Sequence, residues 1–284
     1  MKSVAFASAK GGVGKTNLSV GTAIALAHMD AKVLLVDGDL GLANIDILLN
    51  LKPTVTLKHV VCDAVDLGSA ITEGPGGVSV LCGGSGIKEL AEIEPEMISE
   101  IVNNIESLSK DFDYIVYDTG SGIRDNTMAF LQSVDRVAIV CTPDPTSIMD
   151  AYATAKILFE KKPEADVALL VNMADEEKSG QIVFARFRSI IGQFLNKEVT
   201  LAGIVCYDSS VKQATRARTS VLLSHPKCKA SKAIAELADR ITEPTIDTES
   251  NDSLGLLQRV RSVFGFLSKS KPEADKSEPL KRAA

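Results

Sequence analysis

A doubly wound, mostly parallel α/β sheet is the fold that three features of this 284-residue sequence predict. Short, wholly apolar runs recur along the chain with helix-length segments between most of them, the alternation that builds βαβ units. A glycine-rich loop joins the first run to the first helical segment. Carboxylates follow directly on two further runs, which puts them at the carboxyl edge of a parallel sheet, where such folds bind ligands.

Residues 3–8 read as the first strand. Residues 15–29 read as a helix, because Leu18, Ala25, Leu26 and Met29 recur at helical spacing. The core of the second strand, residues 32–36, is apolar from Val33 onward, as expected when both faces of the sheet are covered. Further runs at 78–81, 114–117, 137–141, 167–171 and 201–205 complete the pattern. No repeat or composition break interrupts residues 1–242, so one domain is expected there. Residues 243–252 (EPTIDTESND) read as an acidic linker, and residues 270–284, rich in Lys, Glu, Pro and Ser, as a disordered tail.

Composition narrows the function classes. With 45% hydrophobic residues the chain can bury a substantial core. Its net charge is −6, but residues 253–284 hold seven basic and three acidic side chains, so that stretch carries +4 and the remainder −10. An acidic body argues against wholesale nucleic-acid binding, and no sequence-specific nucleic-acid partner is expected, whereas a basic tail suits an anionic partner. The five cysteines contain no C-x-x-C pair, which suggests neither a zinc site nor a disulfide framework, and most of them read as buried thiols of a reducing compartment. No apolar run approaches the roughly 18 residues that span a bilayer, and only Met1 and Lys2 precede the first strand. A cytoplasmic protein is therefore expected.

The loop Ser8-Ala9-Lys10-Gly11-Gly12-Val13-Gly14-Lys15-Thr16 sits between a strand and a helix, the setting a phosphate-binding loop requires. Backbone amides of Gly11, Gly12, Val13 and Gly14 would close on phosphate oxygens at the positive end of the helix, with Asn17 next in the site. Lys15 would reach the β- and γ-phosphates and Thr16 would ligate Mg²⁺. Two departures mark the loop: Ala9 replaces the first glycine of the general pattern, and a second lysine, Lys10, lies inside it. Lys10 is either a solvated loop charge or a functional one. Two acidic groups accompany the loop. Asp37 and Asp39 open the segment after the second strand, where they either cap the next helix or serve the nucleotide. Asp118 follows residues 114–117 and precedes glycines, the arrangement of a carboxylate that holds Mg²⁺ while a flexible loop senses the γ-phosphate.

The loop with its inner lysine resembles the deviant Walker A motif of the MinD/ParA ATPases. The resemblance covers residues 3 to about 240. It implies a Mg-ATP-dependent homodimer in which Lys10 reaches the partner's nucleotide, Asp39 positions the attacking water, and Asp37 lies near Mg²⁺ and the γ-phosphate. It also implies slow turnover. Asn172 resembles the residue that reads the adenine edge, and Asp208 lies in a base-contacting loop whose usual proline is Cys206 here; both could equally be helix caps.

Within that family three stretches are most similar to the flagellar-number regulators of the FlhG/FleN type: Gly14–Val20, the D-G-D-L-G-L-A-N-I-D run from Asp37 to Asp46, and Pro143–Tyr152, which would bring Asp150 toward a dimer interface. Those regulators usually carry an N-terminal extension that stimulates a signal-recognition-type GTPase. The resemblance implies partners in the flagellar or positioning machinery; a division-site or plasmid-partition ATPase, or a low-turnover scaffold, are the alternatives. Residues 119–140 hold no cysteine, which a nitrogenase-like reductase would need there for its cluster. Finally, residues 253–269 (SLGLLQRVRSVFGFLSK) read as an amphipathic helix. Leu256, Leu257, Val260, Val263, Phe264 and Leu267 form one stripe, opposite a polar face bearing Arg259, Arg261 and Lys269. The segment is expected to lie on the anionic inner membrane surface, peripheral on its cytoplasmic face, or else to dock on protein.

Overall fold

The computed structural model describes residues 2–63, 65–84 and 95–242, and among these eight strands form one sheet. The strands are β1 (Lys2–Ser8), β2 (Val33–Gly38), β3 (Ile71–Glu73), β4 (Ser79–Leu81), β5 (Tyr114–Ser121), β6 (Arg136–Cys141), β7 (Asp166–Ala174) and β8 (Thr200–Cys206). Their order is β3-β4-β2-β5-β1-β6-β7-β8. Every neighbouring pair is parallel except β3 and β4. The helices are α1 (Lys15–Ala27), α2 (Ile45–Leu48), α3 (Leu57–Asp63), α4 (Pro95–Ser107), α5 (Asp125–Ser133), α6 (Pro145–Lys161), α7 (Glu177–Leu195), α8 (Ser209–Arg216), α9 (Val221–Ser224) and α10 (Lys229–Thr242). The chain winds outward from β1 in both directions, so the carboxyl ends of the central strands border the crevice typical of a topological switch point.

Alternation along the strands sorts the core into two layers. Phe6, Leu35 and Val116 pack with Ile24 of α1 and Ile234 of α10. Their neighbours Ala5, Leu34 and Ile115 face the other way, toward Ile98 of α4, Phe130 of α5 and Leu158 of α6. The central strands are apolar in their cores because neither face meets water there.

Three local features differ from the sequence reading. Strand β3, only Ile-Thr-Glu, was not expected; it is a short antiparallel edge strand, too brief to show a period. Helix α1 ends at Ala27, and the left-handed Asp30 (φ 62°) closes the turn that follows. Strands β2 and β5 run past their apolar cores, so that Asp37 and Asp118 lie within paired strands and not in loops after them. Ladder pairing continues there because the polar side chains find partners in the site described below. Of the cysteines only Cys82 and Cys141 are buried; Cys62 is exposed and the other two are half-buried. Burial pushes the Cys82 and Cys141 thiols up to about 12, which leaves them protonated and unreactive. Among the described residues no helix is long and apolar enough to cross a membrane. The linker, amphipathic-helix and tail readings at 243–252, 253–269 and 270–284 lie outside the described residues.

Candidate functional site

The loop between β1 and α1 carries two glycines in the left-handed region, Gly12 (φ +80°) and Gly14 (φ +87°). Such angles turn successive amides toward one side of the loop and suit glycine. Gly14 has a second reason to be glycine: a Cβ there would collide with Asn172 Nδ2. That amide donates a 2.7 Å hydrogen bond to the Val13 carbonyl, so β7 pins the loop from below.

The two lysines of the loop occupy opposite environments. Lys15, in the first turn of α1, is only 9% exposed; its ammonium lies 3.2 Å from Asp118 Oδ1 and also donates to the Thr119 carbonyl. Lys10 is 47% exposed and reaches Asp144 Oδ2 at 3.1 Å and Thr146 Oγ1 at 3.3 Å. Hydrogen bonds from Lys10, then from the Thr146 amide and hydroxyl, hold the Asp144 carboxyl below the usual carboxylate range. Asp144 and Thr146 belong to the stretch singled out for Asp150, which is itself half-buried on α6.

Parallel register sets Asp37 of β2 directly beside Asp118 of β5. Asp37 is fully buried. Its carboxylate accepts from the amides of Asn44 (2.9 Å), Ile45 (3.1 Å) and Asp39 (3.2 Å), which tie the β2–α2 segment to the sheet edge. Burial first, then the neighbouring Asp118 charge, raises the Asp37 pKa to about 7 against the pull of those three amides. The paired carboxylates of Asp37 and Asp118 are donors of the kind that fits Mg²⁺, a hard cation bound through one or two carboxylates plus substrate phosphates.

A raised carboxyl pKa has a defined consequence for stability. The folded chain holds this proton where the unfolded chain has already lost it, so stability falls as pH rises from about 4 toward 7. Urea unfolding of metal-free protein is expected to show that decline in the wild type and a shallower one in Asp37→Asn. Equal slopes for the two proteins would contradict the assignment.

Two adjoining cavities cover the loop. One, about 390 Å³, is lined by the loop from Ser8 to Asn17 together with Asp39, Leu42, Asn44 and Ser121. The other, about 430 Å³, is mostly apolar, with Leu18, Val205, Val211 and Ile234 among its walls and Asn172, Cys206 and Asp208 at its polar places. Gly14, Asn17 and Met173 line both, so the two are joined at the glycine loop. A polar cradle opening into an apolar slot matches a nucleotide with its phosphates in one and its base in the other.

The structure separates Asn172 from Asp208. Asp208 is the N-cap of α8, accepting from Ser210 N at 2.9 Å, and its second oxygen reaches Ala230 N at 3.3 Å. Partial burial works against its ionised form, but these hydrogen bonds outweigh it and lower its pKa to about 2. Asn172 caps no helix; it braces the glycine loop while lining the base-side cavity. Asn17 accepts from the Thr215 hydroxyl at 3.0 Å, linking α1 to α8. Sequence reasoning passed over Met173, whose left-handed backbone (φ 57°) sets it at the junction of the cavities, and Ser121, at the end of β5. An unusual φ leaves no mark in a pattern of hydrophobicity.

Fold and site together define a P-loop nucleotide-binding domain. A family described as "ParA: NUBPL iron-transfer P-loop NTPase" matches residues 1–242, and the chain belongs to this ParA family of P-loop NTPases. It is similar to the antiactivator FleN of Pseudomonas aeruginosa, 35% identical over 238 residues that cover 84% of this chain and 85% of FleN. It is also 35% identical to the flagellum site-determining protein YlxH of Helicobacter pylori over 239 residues, 84% of this chain and 80% of that protein. Among solved structures, the cell division ATPase MinD of Pyrococcus furiosus superposes with a TM-score of 0.73 at 25% identity, covering 84% of this chain and 98% of MinD.

Proposed function

We propose that this chain is a Mg-ATP-dependent switch whose ATP-bound form is a homodimer and whose slow hydrolysis releases the two subunits. The observation that carries the reading is the contrast between the two lysines of one loop. Lys15 is buried against its own chain's sheet edge, whereas Lys10 stands at the surface, where a second subunit can meet it. The amides of Gly11, Gly12, Val13 and Gly14, with Lys15, would bind the phosphates; Thr16, Asp37 and Asp118 would hold Mg²⁺, which neutralises the phosphate charge. Asp39, on the phosphate-side cavity, would orient the water. Asn17, Asn172 and Asp208 shape the base side. Phosphoryl transfer to water asks mainly for positioning and charge stabilisation, which these groups supply.

The names of the two relatives at 35% identity, an antiactivator and a flagellum site-determining protein, support control of flagellar number or placement, with partners in that machinery. Residues 253–269 supply the proposed anchor to the cytoplasmic face of an anionic inner membrane. Two such helices in a dimer would bind far more tightly than one. ATP is expected to drive sedimentation with anionic liposomes, ADP not to, and Phe264→Glu to prevent it. Equal sedimentation in ATP and ADP would overturn membrane cycling.

Lys10→Ala is expected to keep ATP affinity and lose dimerisation with a non-hydrolysable analogue; full dimerisation of that variant would refute the cross-subunit role. A second reading has its own support. Lys212, Arg216, Arg218, Lys227, Lys229 and Lys232 are all exposed, make no ion pair among the described residues, and share residues 208–232 with one acid, Asp208. That basic strip on an acidic body favours the partition-type alternative. Salt-sensitive, ATP-dependent retention of random duplex DNA would establish it, and no retention at low salt would remove it.

A further inference from the structure

We propose that Arg124 is a positioning residue for ATP hydrolysis, acting on Asp39 across Gly120. The inference rests on the hydrolysis reading above. Asp39 lies in the segment between β2 and α2, and Arg124 lies between β5 and α5, so the two belong to different loops at the sheet's carboxyl edge. They converge on one point. A Cβ built on Gly120 would stand 3.3 Å from Asp39 Oδ1 and 3.5 Å from Arg124 Nη2. A carboxylate and a guanidinium thus approach over the same stretch of backbone, which carries no side chain at residue 120.

Their surroundings divide the labour. Asp39 lines the phosphate-side cavity together with Ser121, and its Oδ1 accepts only a long 3.3 Å bond from the Leu42 amide. Arg124 does not line that cavity, is exposed, and donates no side-chain cap to α5, so helix structure does not account for its position. Among the described residues neither group has an ion-pair partner within 4 Å.

A carboxylate that must sit beside a triphosphate is repelled by it, and Asp37 and Asp118 add to that repulsion. A guanidinium on the far side of Asp39 offsets the repulsion and keeps the carboxylate facing the cavity. Gly122 (φ +97°) lies between Gly120 and Arg124, so the course of this loop sets where the guanidinium stands relative to Asp39. Arg124 thereby couples the loop after β5 to the residue that orients the water.

The test is a double-mutant cycle in single-turnover ATP hydrolysis on the full chain with Mg²⁺. Arg124→Ala is expected to lower the rate about tenfold with ATP affinity and thermal unfolding unchanged, and Arg124→Lys to recover most of the rate. In the Asp39→Ala background, Arg124→Ala is expected to cost nothing further. Loss of a second tenfold in that background, or a wild-type rate for Arg124→Ala, would overturn the proposal while leaving the ATPase reading intact. A wild-type chain that binds Mg-ATP without hydrolysing it would instead overturn the reading on which the proposal stands.

Discussion

Lys15→Ala is expected to lose ATP affinity by at least about a hundredfold, the consequence of removing charge-assisted bonds worth about 1.5–3 kcal/mol each. The same change strikes the fold. Asp118 is only 3% exposed and stands in register beside Asp37, so deleting the ammonium leaves two neighbouring carboxylates buried without it. Breaking a buried ion pair from one side costs about 3–5 kcal/mol. Lys15→Ala with Asp118→Asn should therefore regain stability in urea without regaining affinity in calorimetric titration. A Lys15→Ala protein that titrates ATP like the wild type would contradict the assignment of the loop.

Asp39→Ala is expected to bind Mg-ATP and dimerise normally while hydrolysing it about 10²–10⁴-fold more slowly, the range for loss of a positioned acid–base group. It differs from Asp37 in exposure and in partners. Asp37 is buried and spends its oxygens on three backbone amides, whereas Asp39 borders the cavity with one long hydrogen bond. Asp37 is thus fixed at the edge of the sheet, and Asp39 faces the cavity where the water would sit. Unchanged turnover in Asp39→Ala would mean that another group orients the water.

The parallel sheet was legible because burial on both faces forces continuous apolar strands, and the glycine loop was legible because its residue types and spacing serve one geometry. Asp37 and Asp118 could be read as a pair only through the strand–loop pattern; their adjacency depends on β2 and β5 being neighbours, which strand order alone decides. The partners of Lys10 were hidden for a similar reason. Within the chain, Asp144 and Thr146 lie far from Lys10 in sequence, at the N-cap and first turn of α6, and only the fold brings them to it. Asn172 and Asp208 looked alike as polar residues at strand ends. Tertiary contact separates them, one bracing the Val13 carbonyl and the other capping α8. Arg124 carried no signal at all, since only the fold brings it and Asp39 to the same stretch of β5.

The central claim is that ATP brings two copies of this chain together. Light scattering coupled to size exclusion, on full-length protein with Mg²⁺ and either a non-hydrolysable ATP analogue or ADP, tests it most directly. A mass near twice the 30.2 kDa of the chain with the analogue and a single-chain mass with ADP is the expected result. The same mass in both nucleotides, whether one chain or two, would contradict the account.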